Sequence, residues 1–157
     1  MANRTEAIGL AARRWACAAL VAVALSLPVV AAEFRSVGEN AAVLFDAPSQ
    51  KAKKTHVMSR GYPVEIVVAV EGWFKVRDAG GELAWIEAKS LSERRTLMVK
   101  VRLADVRQAA ADTAPLAFQA EHSVLLDLVE LTDSGWARVA HRDGQGGYIR
   151  INQVWGL

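Results

Sequence analysis

Apolar and polar positions alternate through most of this chain, and the alternation repeats. Residues 64–70, Val-Glu-Ile-Val-Val-Ala-Val, are rich in β-branched side chains and read as a strand. Glu71-Gly72 is a tight turn of the hairpin kind, and residues 73–77 return as the next strand. Alternation sends Phe74 and Val76 to one face and Trp73 and Lys75 to the other, so the apolar pair predicts the core side. Asp78-Ala79-Gly80-Gly81 turns the chain again, and residues 83–87 form a further strand. Sixty-three residues after Gly72-Trp73-Phe74-Lys75-Val76 the chain reads Gly135-Trp136-Ala137-Arg138-Val139. The same shift takes Trp85-Ile86 to Tyr148-Ile149, Ile66 to Val129, Val68 to Leu131 and Leu91 to Val154. One offset for every pair marks an internal duplication.

The remaining segments fit around this unit. Residues 33–40 read as a lead-in and residues 42–45 as a first strand, stopped by Asp46-Ala47-Pro48-Ser49. Lys51, Lys53 and Lys54 mark residues 50–55 as an exposed loop. Gly61-Tyr62-Pro63 is a turn in which proline fixes φ. Residues 90–97 join the copies without a Pro, Gly or Ser-rich spacer, which predicts a short, rigid junction and two copies in contact. Met98-Val99-Lys100-Val101 opens the second copy, Val106 matches Val43, and residues 107–117 form the matching long loop. Residues 123–131, 136–140 and 147–151 repeat the three later strands. No stretch after residue 32 holds a helical period, and short strands at this spacing predict an all-β barrel or sandwich.

The N-terminus stands apart. Arg4, Arg13 and Arg14 precede an apolar run over residues 16–30, which ends at Val30-Ala31-Ala32. A basic start, a short apolar stretch and small residues at its end make a secretory signal, too short for the ~20 residues of a spanning helix. Cleavage is expected after Ala32, leaving no membrane span and a periplasmic or secreted product of 125 residues. The formal charge of +2 then changes meaning: the first 32 residues carry three arginines and Glu6, and the rest balances 16 basic against 16 acidic residues. A neutral chain offers no general attraction for nucleic acid. Cys17, the one cysteine, falls in the signal, so the remainder has no thiol.

Catalytic signals are absent from the sequence. His56, His122 and His141 show no metal-ligand spacing, which predicts no metal site, and nothing predicts a cofactor. Gly144-Gln145-Gly146-Gly147 precedes a strand, whereas a phosphate loop needs a helix N-terminus. No Gly-x-Ser-x-Gly and no supported carboxylate pair occur. Large rings are the remaining feature: Tyr62, Trp73, Trp85, Trp136, Tyr148 and Trp155. Rings with a polar edge serve either core or binding surface. Trp85 and Trp155 are expected in core or inter-domain packing; Trp73 and Trp136 stay open between core and surface.

The run Gly61-Tyr62-Pro63-Val64-Glu65-Ile66-Val67, then Trp73-Phe74-Lys75-Val76-Arg77, Trp85-Ile86 and Ser92-Glu93-Arg94-Arg95-Thr96, resembles the bacterial Src-homology-3-like (SH3-like) domain. It is similar to a branch of exported proteobacterial proteins with two such domains in tandem and a Trp-Gly tail, here Val154-Trp155-Gly156-Leu157. Departures fall in the first strand, where Ala42-Val43-Leu44-Phe45-Asp46-Ala47-Pro48 keeps only the Val and Pro of Asn-Val-Arg-x-Gly-Pro. The resemblance implies two small β-barrels, residues 33–97 and 98–157, each of five to six strands. It implies a non-enzymatic module that recognises a peptide, a peptidoglycan fragment or a partner protein, or else an accessory that positions a separate cell-wall hydrolase. In the wider fold a tryptophan at this strand start lines the ligand groove. That role passes to Trp73 and Trp136, with Lys75 and Arg138 on the same face and Tyr62 and Tyr148 as further candidates.

Overall fold

The computed structural model describes residues 32–38 and 40–157; the apolar segment read as an export signal lies outside them. The chain forms two antiparallel seven-stranded sheets. The first holds β1 (Glu33–Val37), β2 (Ala42–Phe45), β3 (Lys54–Met58), β4 (Pro63–Val70), β5 (Trp73–Arg77), β6 (Leu83–Glu87) and β7 (Leu91–Ser92), in the order β3-β2-β6-β5-β4-β1-β7. The second holds β8 (Thr96–Val99), β9 (Leu103–Arg107), β10 (Leu116–Glu121), β11 (Leu125–Leu131), β12 (Trp136–Ala140), β13 (Gly146–Arg150) and β14 (Val154–Trp155), in the same relative order. The architecture is all-β and tandem, as the alternation predicted. Short 3-10 turns, Ala88–Ser90 and Ile151–Gln153, precede the last strand of each sheet.

Each sheet encloses its own core. Leu44, Val64, Val76 and Ile86 centre the first, and Val106, Leu126, Val139 and Ile149 the second. Val76, Ala137 and Val139 are buried as parity requires.

The single offset does not survive in three dimensions. The hairpin turn between β4 and β5 is Glu71-Gly72; between β11 and β12, Thr132 still bonds to the Trp136 carbonyl and Asp133-Ser134-Gly135 makes the turn. That extra residue keeps the 63-residue shift for the later strands and reduces it to 62 before the turn. Ile66 pairs with Val76 while Leu128 pairs with Val139, so Ile66 corresponds to Leu128 and not to Val129. Burial agrees: Ile66 and Leu128 each pack on their own core, and Val129 is 53% exposed. By the same shift Val68 corresponds to Glu130, and Leu44, not Val43, corresponds to Val106.

Three strands were not legible: β1, β3 and its counterpart β10, which begins inside the segment read as the matching long loop. Residues 33–40 contain β1, which pairs with both β4 and β7; its buried Ser36 interrupts the apolar alternation. β3 lies at the sheet edge and includes Lys54, within the lysine-rich segment read as loop. Charge on an edge strand discourages pairing with other chains, so the feature that suits an edge also disguises it.

The corrected shift places Ser123 at the position of Gly61. Both are left-handed, with φ of +67° and +78°. Both N–H groups bond back to the corresponding valine carbonyl, Val99 and Val37. A side chain in this region carries a cost that glycine avoids. Ser123→Gly is therefore expected to leave stability unchanged or raise it by up to about 1 kcal/mol, as read by thermal melting.

The sheets meet along β1, β4, β8 and the C-terminal residues. Only residues 93–95 separate β7 from β8. Phe34 of β1 meets the Trp155 ring edge-on at 5.1 Å, so Trp155 does pack between the copies. Arg95 lies over Phe34 and donates to the Gly156 carbonyl at 2.6 Å. Thr96 crosses the seam. Its N–H donates to Ser36 Oγ at 2.9 Å, and its hydroxyl donates to the Gly61 carbonyl. With that proton committed, Ser36 Oγ must be the donor in the 2.8 Å contact with Thr96 Oγ1. Three directional bonds thus fix the register of one sheet on the other.

Candidate functional site

The two predicted ring anchors occupy different surroundings. Trp73 starts β5 and is half-buried, edge-on to Phe45 at 5.4 Å. Across the ladder stands Glu87, which accepts from Gln50 Nε2 at 2.7 Å. Gln50 belongs to the long β2–β3 loop, so the loop is clasped down beside the ring. Trp136 starts β12 opposite Arg150 and is only 3% exposed. Arg150 lies 4.4 Å above its ring centre, and the guanidinium is held by Asp112 of the long β9–β10 loop. Glu87 and Arg150 correspond under the shift of the later strands. Each long loop is therefore tied to its sheet through the residue facing the tryptophan, with the sign of the charge reversed between copies. Parity had put both rings on the face away from the core. In the second copy a cation and a loop cover that face, and the ring itself offers nothing to solvent.

The flanking candidates are dispersed. Lys75 pairs across the ladder with Trp85, and Arg138 with Tyr148. Arg138 is exposed, while Lys75 and Tyr148 are half-buried. Tyr62 packs against the first core, where burial raises its phenol pKa against an opposing hydrogen bond from the Ala79 backbone. Of the six sequence candidates, Trp73 with Lys75 on one face of β5, and Tyr148 with Arg138 across the β12–β13 ladder, each leave a ring and a cation partly accessible.

A larger concavity lies at the seam. A cleft of about 600 Å³ is walled by Ser36 and Gly61 of the first copy and by Thr96 and residues 123–127 of the second, with His141 and Arg142 at the β12–β13 turn. Its volume falls in the range of ligand pockets, and domain boundaries are where such pockets concentrate. Among the described residues, Arg60, Arg94, Arg142 and His141 line it together with the carboxylate of Asp127. Arg94 already engages Asp127 at 2.5 Å. His141 Nδ1 lies 2.9 Å from Asp143, whose carboxyl is lowered to about 2, first by the Gln145 backbone N–H and then by His141. Arg142, beside the Arg94–Asp127 pair and over a floor of backbone and hydroxyl groups, gives this cleft a donor that suits a carboxylate-bearing ligand. Ser123 Oγ bonds His122 Nδ1 at 2.8 Å, but among the described residues no carboxylate pairs with His122 to orient it as a base. This cleft was not legible along the chain because its walls come from five separated segments, one of them the unrecognised β1.

The profile described as "Bacterial SH3 domain" matches residues 38–93 and again residues 100–156. No curated protein matches the chain. Among solved structures, NlpC2 from Trichomonas vaginalis is similar at 18% identity over 80% of this chain and 48% of its own, with a TM-score of 0.38. NlpC1 from Trichomonas vaginalis is similar at 20% identity over 82% and 47%, TM-score 0.38. An NlpC/P60 family protein from Bacillus cereus ATCC 10987 shows 16% identity over 78% and 56%, TM-score 0.38. The chain spans about half the length of these three chains.

Proposed function

Because the chain belongs to the bacterial SH3 domain family, we propose that it is a non-catalytic binding module of the bacterial envelope that holds a carboxylate-bearing peptide in the cleft between its two sheets. Bacterial SH3 domains are binding modules. The observation that carries this reading is the cleft, a space walled by both copies in which Arg142 stands beside backbone and hydroxyl groups. A duplication gives such a module a site neither copy has alone, and the Thr96 bonds hold its walls in register. The secretory pattern of the N-terminus supports a periplasmic or secreted location, where the peptide stems of peptidoglycan are one source of free carboxylates.

Soluble muropeptides are the probe. With calorimetry as readout, Arg142→Glu is expected to weaken binding by about tenfold, and Asp127→Asn to preserve it. The accessible Trp73–Lys75 patch supports a second reading, in which the groove of the first copy binds alone. Loss of binding in Trp73→Ala with Arg142→Glu unaffected would favour that groove and reject the cleft.

A further inference from the structure

We propose that His56, Asp78 and Glu82 form a divalent transition-metal site in the first copy, joining the edge strand β3 to the β5–β6 turn. One donor atom from each residue lies within 4.8 Å of the other two. His56 shares the inward face of β3 with the buried Met58, beside the bulge where the β2–β3 register shifts. Its Nε2 is shut off from solvent and has no hydrogen-bond partner, a costly state for a buried polar atom that a metal would relieve. The carboxylates come from one tight turn. The Asp78 N–H donates to the Glu82 carbonyl at 3.0 Å, and the Glu82 N–H donates to Asp78 Oδ1 at 2.8 Å. That bond aims the aspartate, leaving Oδ2 for a ligand. No described cation is paired with either carboxylate.

The second copy shows what this contact is without a metal. Under the shifts established above, His56 corresponds to Phe118, Asp78 to His141 and Glu82 to Gln145. Phe118 and His141 pack as rings, 6.3 Å between centres. The same junction of strand and turn is closed there by ring packing, whereas the first copy brings together two acids and an unpartnered imidazole. Nitrogen and carboxylate donors suit zinc and its first-row neighbours, while calcium and magnesium prefer oxygen alone. Donors about 2.0–2.2 Å from zinc stand roughly 3.3 Å apart, a closure that the exposed Glu82 side chain can make by changing rotamer. Three protein donors leave a fourth position for water.

Calorimetric titration of the purified protein with zinc chloride tests this. One zinc ion per chain is expected, together with a higher melting temperature. His56→Gln and Asp78→Asn should each weaken the affinity about tenfold or more, and His122→Gln should leave it unchanged. Glu82→Gln, on an exposed turn, serves the same purpose if His56→Gln fails to fold. Absence of saturable one-to-one binding, retention of full affinity in His56→Gln and Glu82→Gln, equal loss in His122→Gln, or tighter binding of calcium than of zinc would each overturn the proposal.

Discussion

Trp136→Ala should destabilise the protein by about 3–5 kcal/mol, the range for removing a buried tryptophan. The ring is 3% exposed under Arg150. Its loss opens a void and removes the surface on which the guanidinium lies, loosening the Arg150–Asp112 clasp as well. Trp73→Ala is expected to cost less, roughly 1–2 kcal/mol, because that ring already keeps part of its surface in solvent. Equilibrium denaturation of both variants reads the contrast directly. Equal losses would mean that the two copies bury their tryptophans alike, contrary to the structure.

Gly156→Ala should cost about 3 kcal/mol, summing backbone strain and overpacking. Gly156 has φ of +115°, where alanine is strained. A Cβ there would also stand 2.7 Å from the Thr96 carbonyl oxygen and 3.2 Å from Pro63 Cβ. The oxygen is backbone in β8, so relief requires moving the C-terminal tail. That movement would displace the Gly156 carbonyl from Arg95, whose guanidinium pKa is lowered by burial and whose Nε is already unpartnered. Comparing the melting temperature of Gly156→Ala with that of the parent protein checks this. An unchanged value would show that the tail does not seal the seam.

What the sequence disclosed follows the physics of each element. The hairpin around Gly72 and Trp73 was legible because β-branched strands, a glycine turn and strict alternation agree there. Core parity at Val76, Ala137 and Val139 was legible for the same reason. β1 was not, because a strand held at a seam can bury a serine that bonds to Thr96, and this erases the apolar signature. β3 was not, because an edge strand carries charge. The 62-residue shift was hidden by one extra residue in a turn, which moves a match without changing residue types enough to reveal it. The site was less legible than the fold. The burial of Trp136 depends on Asp112 and Arg150 meeting across 38 residues of sequence, and the cleft depends on where two sheets touch. Likewise, His56 shows no ligand spacing along the chain; only sheet pairing sets it beside Asp78 and Glu82.

The claim that both copies share one binding site is tested most directly by amide NMR during titration with soluble muropeptides. The largest shift changes are expected on Gly61, Thr96, residues 123–127 and Arg142, on both sides of the seam, saturating together with one affinity. Changes confined to Phe45, Trp73 and Lys75, with Thr96 and Arg142 unmoved, would contradict it.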